Sequence, residues 1–424
     1  MNPYIQYMYS YPHKTAYGPL QGIQLMDYTE KLVEGQNSLY FHLPFCESKC
    51  GYCNLFSLAG QEDNLMKSYM DSVERQAVQY REIFSPQIQF GDLTLGGGTP
   101  LLLPAGQLER VFEIAERIMG FIPEGKTTIV ETSPGQTTEE KLGILKAHGV
   151  TRVSMGIQSF HDEELKTLNR RHSVKQVEAA MELIRKMDFP CVNLDLIYGI
   201  PGQTIESLLA SVKRAVSYKP EELFVYPLYI KKDTYLAGKK LKQSEHTYEM
   251  YEQIRDYLWS EGYTPLSMRR FVRGGSVEDT KTCGFGNTIS LGCGGRSYIG
   301  NLHFCTPYSV RQSQCRQILT AYMEKEDYLE ITHGYILSKD EEKRRYVIKN
   351  ILFGSGLSLD EYHQVYGGKP QSDFPVLCEW MQNGYAVVEK NRLRLNEKGI
   401  SLSDYLGPML ISKEVREKMN GWEG

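Results

Sequence analysis

The sequence predicts an α/β fold: a partial (β/α)6 TIM-like barrel with a C-terminal extension and a small winged-helix-like α+β domain. From Ser38 to Tyr226 a short β-rich apolar run is followed by a loop and a helical segment, and the unit recurs six times. After Leu337 the order changes to helical segments followed by a strand pair. A length of 424 residues also exceeds one ordinary core.

The expected strands are SLYFH (38–42), DLTLG (92–96), TTIVE (127–131), RVSMG (152–156), CVNLDLI (191–197) and ELFVY (222–226). The segments between them carry apolar residues at i, i+3, i+4 spacing, the mark of amphipathic helices. Six units leave a barrel open on one side, where a bulky substrate fits beside a cofactor. Beyond Tyr226 come a helix at Thr247–Glu261, a Tyr- and Arg-rich stretch and the Gly-rich segment 283–301. Helices at Asp340–Phe353, Leu359–Tyr366 and Phe374–Asn383, then strands around AVVEK and RLRLN with a turn at Asn391, complete the chain. The expected divisions are an N-terminal arm (1–35), the barrel (36–235), an extension forming the substrate region (236–325) and the winged-helix-like domain (326–424). Without a strongly basic surface, that last domain reads as a substrate lid or packing domain rather than a DNA reader.

Formal charge is −4 with both signs mixed, so nothing draws the chain to nucleic acid or anionic lipid. No stretch approaches ~18 consecutive apolar residues and no signal peptide opens the sequence. The expectation is a soluble, cytoplasmic protein with a small-molecule substrate, no nucleic-acid partner and no membrane. Nine cysteines, three of them crowded into eight residues, do not make a secreted disulfide framework.

Those three, Cys46, Cys50 and Cys53, follow the first strand with C-x3-C-x2-C spacing. Three thiolates on one loop suit a [4Fe-4S] cube with one iron left open. They equally suit a zinc site with His42 or another residue as fourth ligand, or three unrelated thiols. The other strand ends are polar or glycine-rich, as expected where ligands bind in such barrels: Gly96-Gly97-Gly98-Thr99-Pro100, Glu131-Thr132-Ser133-Pro134, Gly156-Ile157-Gln158-Ser159, and Asp195 before Tyr198-Gly199.

In order, YFHLPFCESKCGYC, LGGGTP, ETSP, RVSMGIQSF, LNRRH and NLDLIYGIPGQT resemble the oxygen-independent coproporphyrinogen III oxidase family of radical S-adenosylmethionine (SAM) enzymes, strongly from Tyr40 to Tyr226 and weakly beyond. The resemblance implies a [4Fe-4S] cluster on Cys46, Cys50 and Cys53, one or two molecules of SAM, and an electron donor such as flavodoxin or ferredoxin. Carried over by motif, Tyr40 and Tyr52 flank SAM, Gly97, Gly98 and Thr99 line its methionyl end, and Glu131 accepts from its ammonium. Gln158, Arg170 and Asp195 match residues that hold a second SAM in the oxidase, apart from the cysteine loop, or serve the same SAM in relatives.

The family includes decarboxylases, haem-binding chaperones and methyltransferases, so the resemblance leaves the reaction open. Leu55 stands where the decarboxylase has a further Cys, while Tyr9-Ser10-Tyr11-Pro12 echoes its N-terminal segment. The chaperone's His-Asn and Tyr-Trp motif is missing from DTKTCGFGNTISLGCGG. Cys283, Cys293, Cys305 and Cys315 read as buried structural thiols, or as an auxiliary cluster or a substrate-handling thiol. Arg269, Arg270, Arg273 and Arg296 read as a carboxylate site or a solvated face.

Overall fold

The structure is a computed structural model and describes residues 3–33, 36–274, 284 and 286–422. Its strands are β1 (Gly18–Gln24), β2 (Asn37–Leu43), β3 (Phe45–Cys46), β4 (Leu58–Ala59), β5 (Phe90–Gly97), β6 (Thr127–Thr132), β7 (Arg152–Gln158), β8 (Cys191–Tyr198), β9 (Glu222–Pro227), β10 (Tyr263–Pro265), β11 (Arg270–Arg273), β12 (Asn287–Leu291), β13 (Ser297–Ile299), β14 (Leu302–Phe304) and β15 (Glu330–Ile336). Thirteen of them form one sheet, ordered β1-β15-β14-β13-β12-β2-β5-β6-β7-β8-β9-β11-β10. The six expected strands form its centre in parallel. A seventh, β12, joins them in parallel beside β2, so the C-terminal extension returns to the first strand rather than continuing from the last. Antiparallel strands flank this centre on both sides, and the order ends at β1 and β10.

A parallel sheet buried on both faces reads as an unbroken apolar run. Here the strands alternate instead. Leu39, Phe41 and Leu43, then Leu93 and Leu95, Val153 and Met155, Val192, Leu194 and Leu196, and Leu223 and Val225 are buried in the main core. The opposite set is Tyr40 and His42, Thr94 and Gly96, Glu131, Ser154 and Gly156, Asn193 and Asp195, and Tyr226. The apolar set packs against helices Asp63–Ile83, Ala105–Glu113, Glu139–Ala147, Val174–Lys186 and Ile205–Ser217. At roughly 1.5–3 kcal/mol per fully buried large apolar side chain, this face supplies the main driving force for folding. The polar set faces away from that core. The second helix is shorter than its sequence pattern, because Ile114–Ile118 continues it as a π-turn.

Short loops between strand ends and helices are fixed by caps. Ser173 and Gln176 form a capping box, as do Thr204 and Ser207, and Thr138 accepts from the Lys141 amide.

Toward the C-terminus, β16 (Leu357–Ser358), β17 (Ala386–Glu389) and β18 (Arg392–Leu395) form a three-stranded sheet ordered β16-β18-β17. The turn between β17 and β18 places Lys390 and Asn391 at φ 48° and 61°, the left-handed pair a tight hairpin requires. With helices Lys339–Ile351, Leu359–Tyr366 and Val376–Gln382 this sheet encloses a second core around Trp380, Leu377 and Val347. Tyr11, Ala16 and Tyr17 of the N-terminal arm are part of that core. The Tyr11 hydroxyl donates to Glu341 and accepts from the Ser412 amide at 3.2 Å. Just before, the arm sets Tyr7 edge-on to Tyr226 of β9, ring centres 6.2 Å apart. Arm and C-terminal helices thereby close over the carboxyl ends of the central strands.

Candidate functional site

The cysteine loop leaves β2 at Pro44 and is tied down mainly through its backbone. Phe45 and Cys46 pair with Leu58 and Ala59, and the Gly60 amide donates to the Cys46 carbonyl at 3.1 Å. The Gly51 amide donates to the Leu168 carbonyl at 2.7 Å, and the Gly51 carbonyl accepts from Leu236 at 2.9 Å. A Cβ on Gly51 would lie 3.1 Å from both Leu168 O and Leu236 Cγ, so this close approach favours glycine. Asn169 Nδ2 adds a bond to the Lys49 carbonyl at 2.9 Å.

All three thiols of the loop are reduced and partly exposed. Burial pushes the Cys46 thiol up to about 12, and the neighbouring Cys53 and Cys50 push in the same direction. Cys53 is raised by burial and then by Cys50. The thiols thus lie within electrostatic range of one another. Among the described residues, no three His, Cys, Asp or Glu side chains are gathered closely enough to hold a single metal ion. Three thiolates on one loop are the donor set of a cube with one iron left open. His42 does not offer itself as a fourth zinc ligand: its Nε2 lies 3.0 Å from the Phe56 carbonyl and its Nδ1 3.3 Å from the Tyr40 hydroxyl. The donor set fits a cluster.

The resemblance left Arg170, with Gln158 and Asp195, either at a second SAM apart from the cysteine loop or at the same SAM. Arg170 reaches the loop. Its Nη1 donates to Cys50 Sγ at 2.9 Å and its Nη2 to the Gly156 carbonyl, while its buried Nε has no partner. The loop carrying Leu168 and Asn169, which holds Gly51 and Lys49, also delivers Arg170. Gln158 is buried with φ 68°, a conformation costly for a non-glycine residue, at the irregularity where β7 pairs with β8.

The glycines after β5 serve protein packing first. A Cβ on Gly97 would meet the His42 ring at 2.8 Å, and one on Gly98 the Phe45 carbonyl oxygen at 2.4 Å. Thr99 donates its amide to Phe45 O at 2.8 Å, and its side chain hydrogen-bonds the Cys46 thiol. Gly96, part of the glycine-rich strand end but given no role of its own by the sequence, sits where a Cβ would lie 2.9 Å from Tyr40 Oη and 3.1 Å from the Glu131 carboxyl. These contacts lock the ends of β2, β5 and β6 together.

Glu131 accepts from the Gly97 amide at 3.3 Å. Asp195 accepts from Asn193 Nδ2 at 2.8 Å, and Asn193 also bonds Ser154 Oγ at 2.7 Å. Burial pushes Asp195 up to about 6, against the pull of Asn193, Arg152 and Arg170. Burial pushes Glu131 up to about 7, with the charge of Asp195 adding to it. Two buried carboxyls, one of them raised further by the charge of the other, suit a bound cation. Tyr52 packs beside Leu168, Ile197 and Leu236, within electrostatic range of Cys50, Arg170 and Asp195. Tyr226, also missed by sequence, feels both Asp195 and Glu131.

The arginine set divides. Arg269 pairs with Asp404 and stacks 3.7 Å over Tyr7, Arg270 pairs with Glu222 at 2.5 Å, and Arg273 reaches Glu221 at 3.5 Å. These three are structural ion pairs, not a free carboxylate site. Arg296 alone keeps no carboxylate partner among the described residues. Cys293 and Cys315 are buried, Cys305 is partly exposed, and Cys283 lies outside the described residues. No helix among the described residues is long and apolar enough to cross a membrane.

Residues 40–215 match the family model of the Radical SAM superfamily, whose members use a [4Fe-4S] cluster and SAM. The chain is 27% identical over 372 residues to the heme chaperone HemW of Bacillus subtilis, covering 85% of this chain and 96% of that one. It is 24% identical over 385 residues to the oxygen-independent coproporphyrinogen III oxidase of Escherichia coli, covering 85% and 82%. The solved structure of coproporphyrinogen III oxidase (HemN) from E. coli superposes with a TM-score of 0.78 at 23% identity, over 91% of this chain and 92% of that one, so the two share a fold. The chain therefore carries a radical SAM domain and has the oxygen-independent coproporphyrinogen III oxidase-like proteins among its homologues.

Proposed function

We propose that this protein is a radical SAM enzyme acting on a porphyrin-like or other organic small molecule, with Cys46, Cys50 and Cys53 as cluster ligands. The observation that carries the reading is the meeting of three neighbouring thiols, on the loop after β2, with the raised pair Glu131 and Asp195 near the carboxyl ends of β6 and β8 in the same sheet. When bound, such a cluster supplies one electron to SAM, and the 5′-deoxyadenosyl radical released abstracts hydrogen from a substrate. Glu131 accepts from the SAM ammonium, and Asp195 suits its ribose hydroxyls. Tyr40 and Tyr52 flank the nucleotide, and Gly97, Gly98 and Thr99 border its methionyl end. Gln158 and Arg170 complete the enclosure. The contact of Arg170 with Cys50 supports a role beside the cluster-bound SAM rather than at a separate one. Flavodoxin or ferredoxin is the electron donor of this reading.

Anaerobic incubation with SAM, dithionite and candidate substrates tests it. Formation of 5′-deoxyadenosine supports the reading. Release of CO2 then marks a decarboxylase-type oxidoreductase, and S-adenosylhomocysteine marks methyl transfer. Failure to cleave SAM with a full iron complement would reject it. A second reading, haem carriage, draws support from the match spanning 96% of a heme chaperone. Its test is a Soret band of one bound haem per chain on titration, without SAM turnover.

A further inference from the structure

Lys14 and Arg296 are two cations brought together by the N-terminal arm. Lys14 is 7% exposed, and its Nζ makes no hydrogen bond or ion pair among the described residues. It rests 3.7 Å above the Tyr308 ring, whose hydroxyl donates to the Asn54 carbonyl next to Cys53. Arg296 donates from Nη1 to Ser10 Oγ at 2.6 Å and lies 4.8 Å over the Tyr9 ring. Between them, His13 spends both ring nitrogens inside the arm, on Tyr9 at 2.9 Å and Thr15 at 2.8 Å. The charged and titratable groups facing the pair are Tyr7, Tyr9, Tyr17, Tyr298, Tyr308, His13, His42, His303, Cys53, Cys305, Lys49 and Lys231, and none is a carboxylate. Burial, then Arg296, lowers Lys14 to about 7.

A buried cation without an anion is costly, and two side by side are more so. Folds keep such pairs where a ligand supplies the missing charge. We propose that Lys14 and Arg296 form the subsite for an anionic group of the substrate, a carboxylate or a phosphate ester, held at the mouth of the cysteine loop. This rests on the enzymatic reading above and narrows its substrate to an organic anion. Arg296 offers a planar fork for two oxygens and Lys14 a point charge, so together they can grip one oxyanion from two sides.

The test uses protein loaded anaerobically with its cluster, titrated at fixed ionic strength with tricarballylate and, separately, inorganic phosphate, following the thermal midpoint. At least one anion should raise the midpoint by several degrees at millimolar concentration. Tricarballylate alone would assign a carboxylate, and phosphate alone a phosphate ester. Lys14→Met and Arg296→Met should each weaken the response at least tenfold. Each should also raise the ligand-free midpoint, since a merely structural cation would lower it on removal. Iron content and SAM affinity should stay at wild-type values. The proposal is overturned if neither anion stabilises the wild type, or if the variants respond as the wild type does. Loss of iron or of SAM affinity instead would assign these cations to the cluster or to the SAM carboxylate, and likewise overturns it. Deoxyadenosine formation measured on the same samples reports separately on the enzymatic reading.

Discussion

Glu131 and Asp195 stand on the central parallel strands, while Lys14 and Arg296 come from the arm and from the segment just before β13, and the two pairs carry opposite charge. The first pair is held on strands of the sheet, through the Gly97 amide and the Asn193 side chain, which also bonds Ser154. The second is held by side chains of the arm, Ser10, Tyr9 and Tyr308. Tyr7 lies between them, within range of both Asp195 and Arg296. The difference teaches where a constant cofactor and a variable substrate are placed. On the proposed reading, the rigid sheet holds the constant, cationic cofactor and the appended arm sets which substrate enters.

The comparison breaks most sharply at the cysteines. Cys46→Ala, Cys50→Ala and Cys53→Ala should each abolish the broad absorption near ~400 nm and SAM cleavage, because two thiolates do not retain the cube. Cys191, at the start of β8, and Cys378, within helix Val376–Gln382, serve as controls whose Ser variants keep their iron.

Arg170→Ala should come next, with deoxyadenosine formation collapsing although the cluster assembles, since the guanidinium ties Cys50 to the end of β7. Arg170→Lys should not rescue it, because one ammonium does not span both acceptors. Full cleavage with a halved SAM stoichiometry in equilibrium dialysis would instead return Arg170 to a second SAM.

A smaller loss is expected at Glu131. Removing its charge deletes an ion-assisted contact worth about 1.5–3 kcal/mol, so Glu131→Gln should weaken SAM binding about tenfold or more with iron unchanged. Because its folded-state value lies near 7, above that of an unfolded Glu, Glu131 contributes stability at low pH that is lost as pH rises toward 7. Glu131→Gln should therefore raise the ligand-free thermal midpoint at pH 8 and not at pH 4. The same values set a pH profile for the cofactor. SAM affinity should be flat above about pH 8 and fall as Glu131, near 7, and then Asp195, near 6, take up protons. A profile without the upper step in Glu131→Gln would assign that step; an identical profile would remove Glu131 from the site.

The mildest change concerns the arm. Tyr11→Phe removes the bonds to Glu341 and Ser412 and should cost about 1 kcal/mol, read as a small drop in thermal midpoint, with SAM binding unaltered.

The sheet was legible because strand composition and helical periodicity are local signals, and all six expected strands formed within two residues of their expected limits. The alternation Ser154-Met155-Gly156 and Asn193-Leu194-Asp195 also carried the polar face in plain view beside the apolar one. What no local signal carries is pairing at a distance. That β12 lies beside β2, that Arg170 meets Cys50 across 120 residues, and that Arg269 finds Asp404 all follow from tertiary closure. Gly97 and Gly98 show the limit of motif reading, since packing against His42 and Phe45 already requires them to be small. Lys14 looked like one more polar residue of an arm, and only its burial sets it apart.

The central claim, three thiolates with one iron left for SAM, is tested most directly by electron paramagnetic resonance on the anaerobically reconstituted, dithionite-reduced protein, with iron and sulfide analysed on the same sample. The account predicts four irons and four sulfides per chain and a reduced-cluster signal that shifts when SAM is added. Zinc in place of iron, or a cluster signal indifferent to SAM, would contradict it.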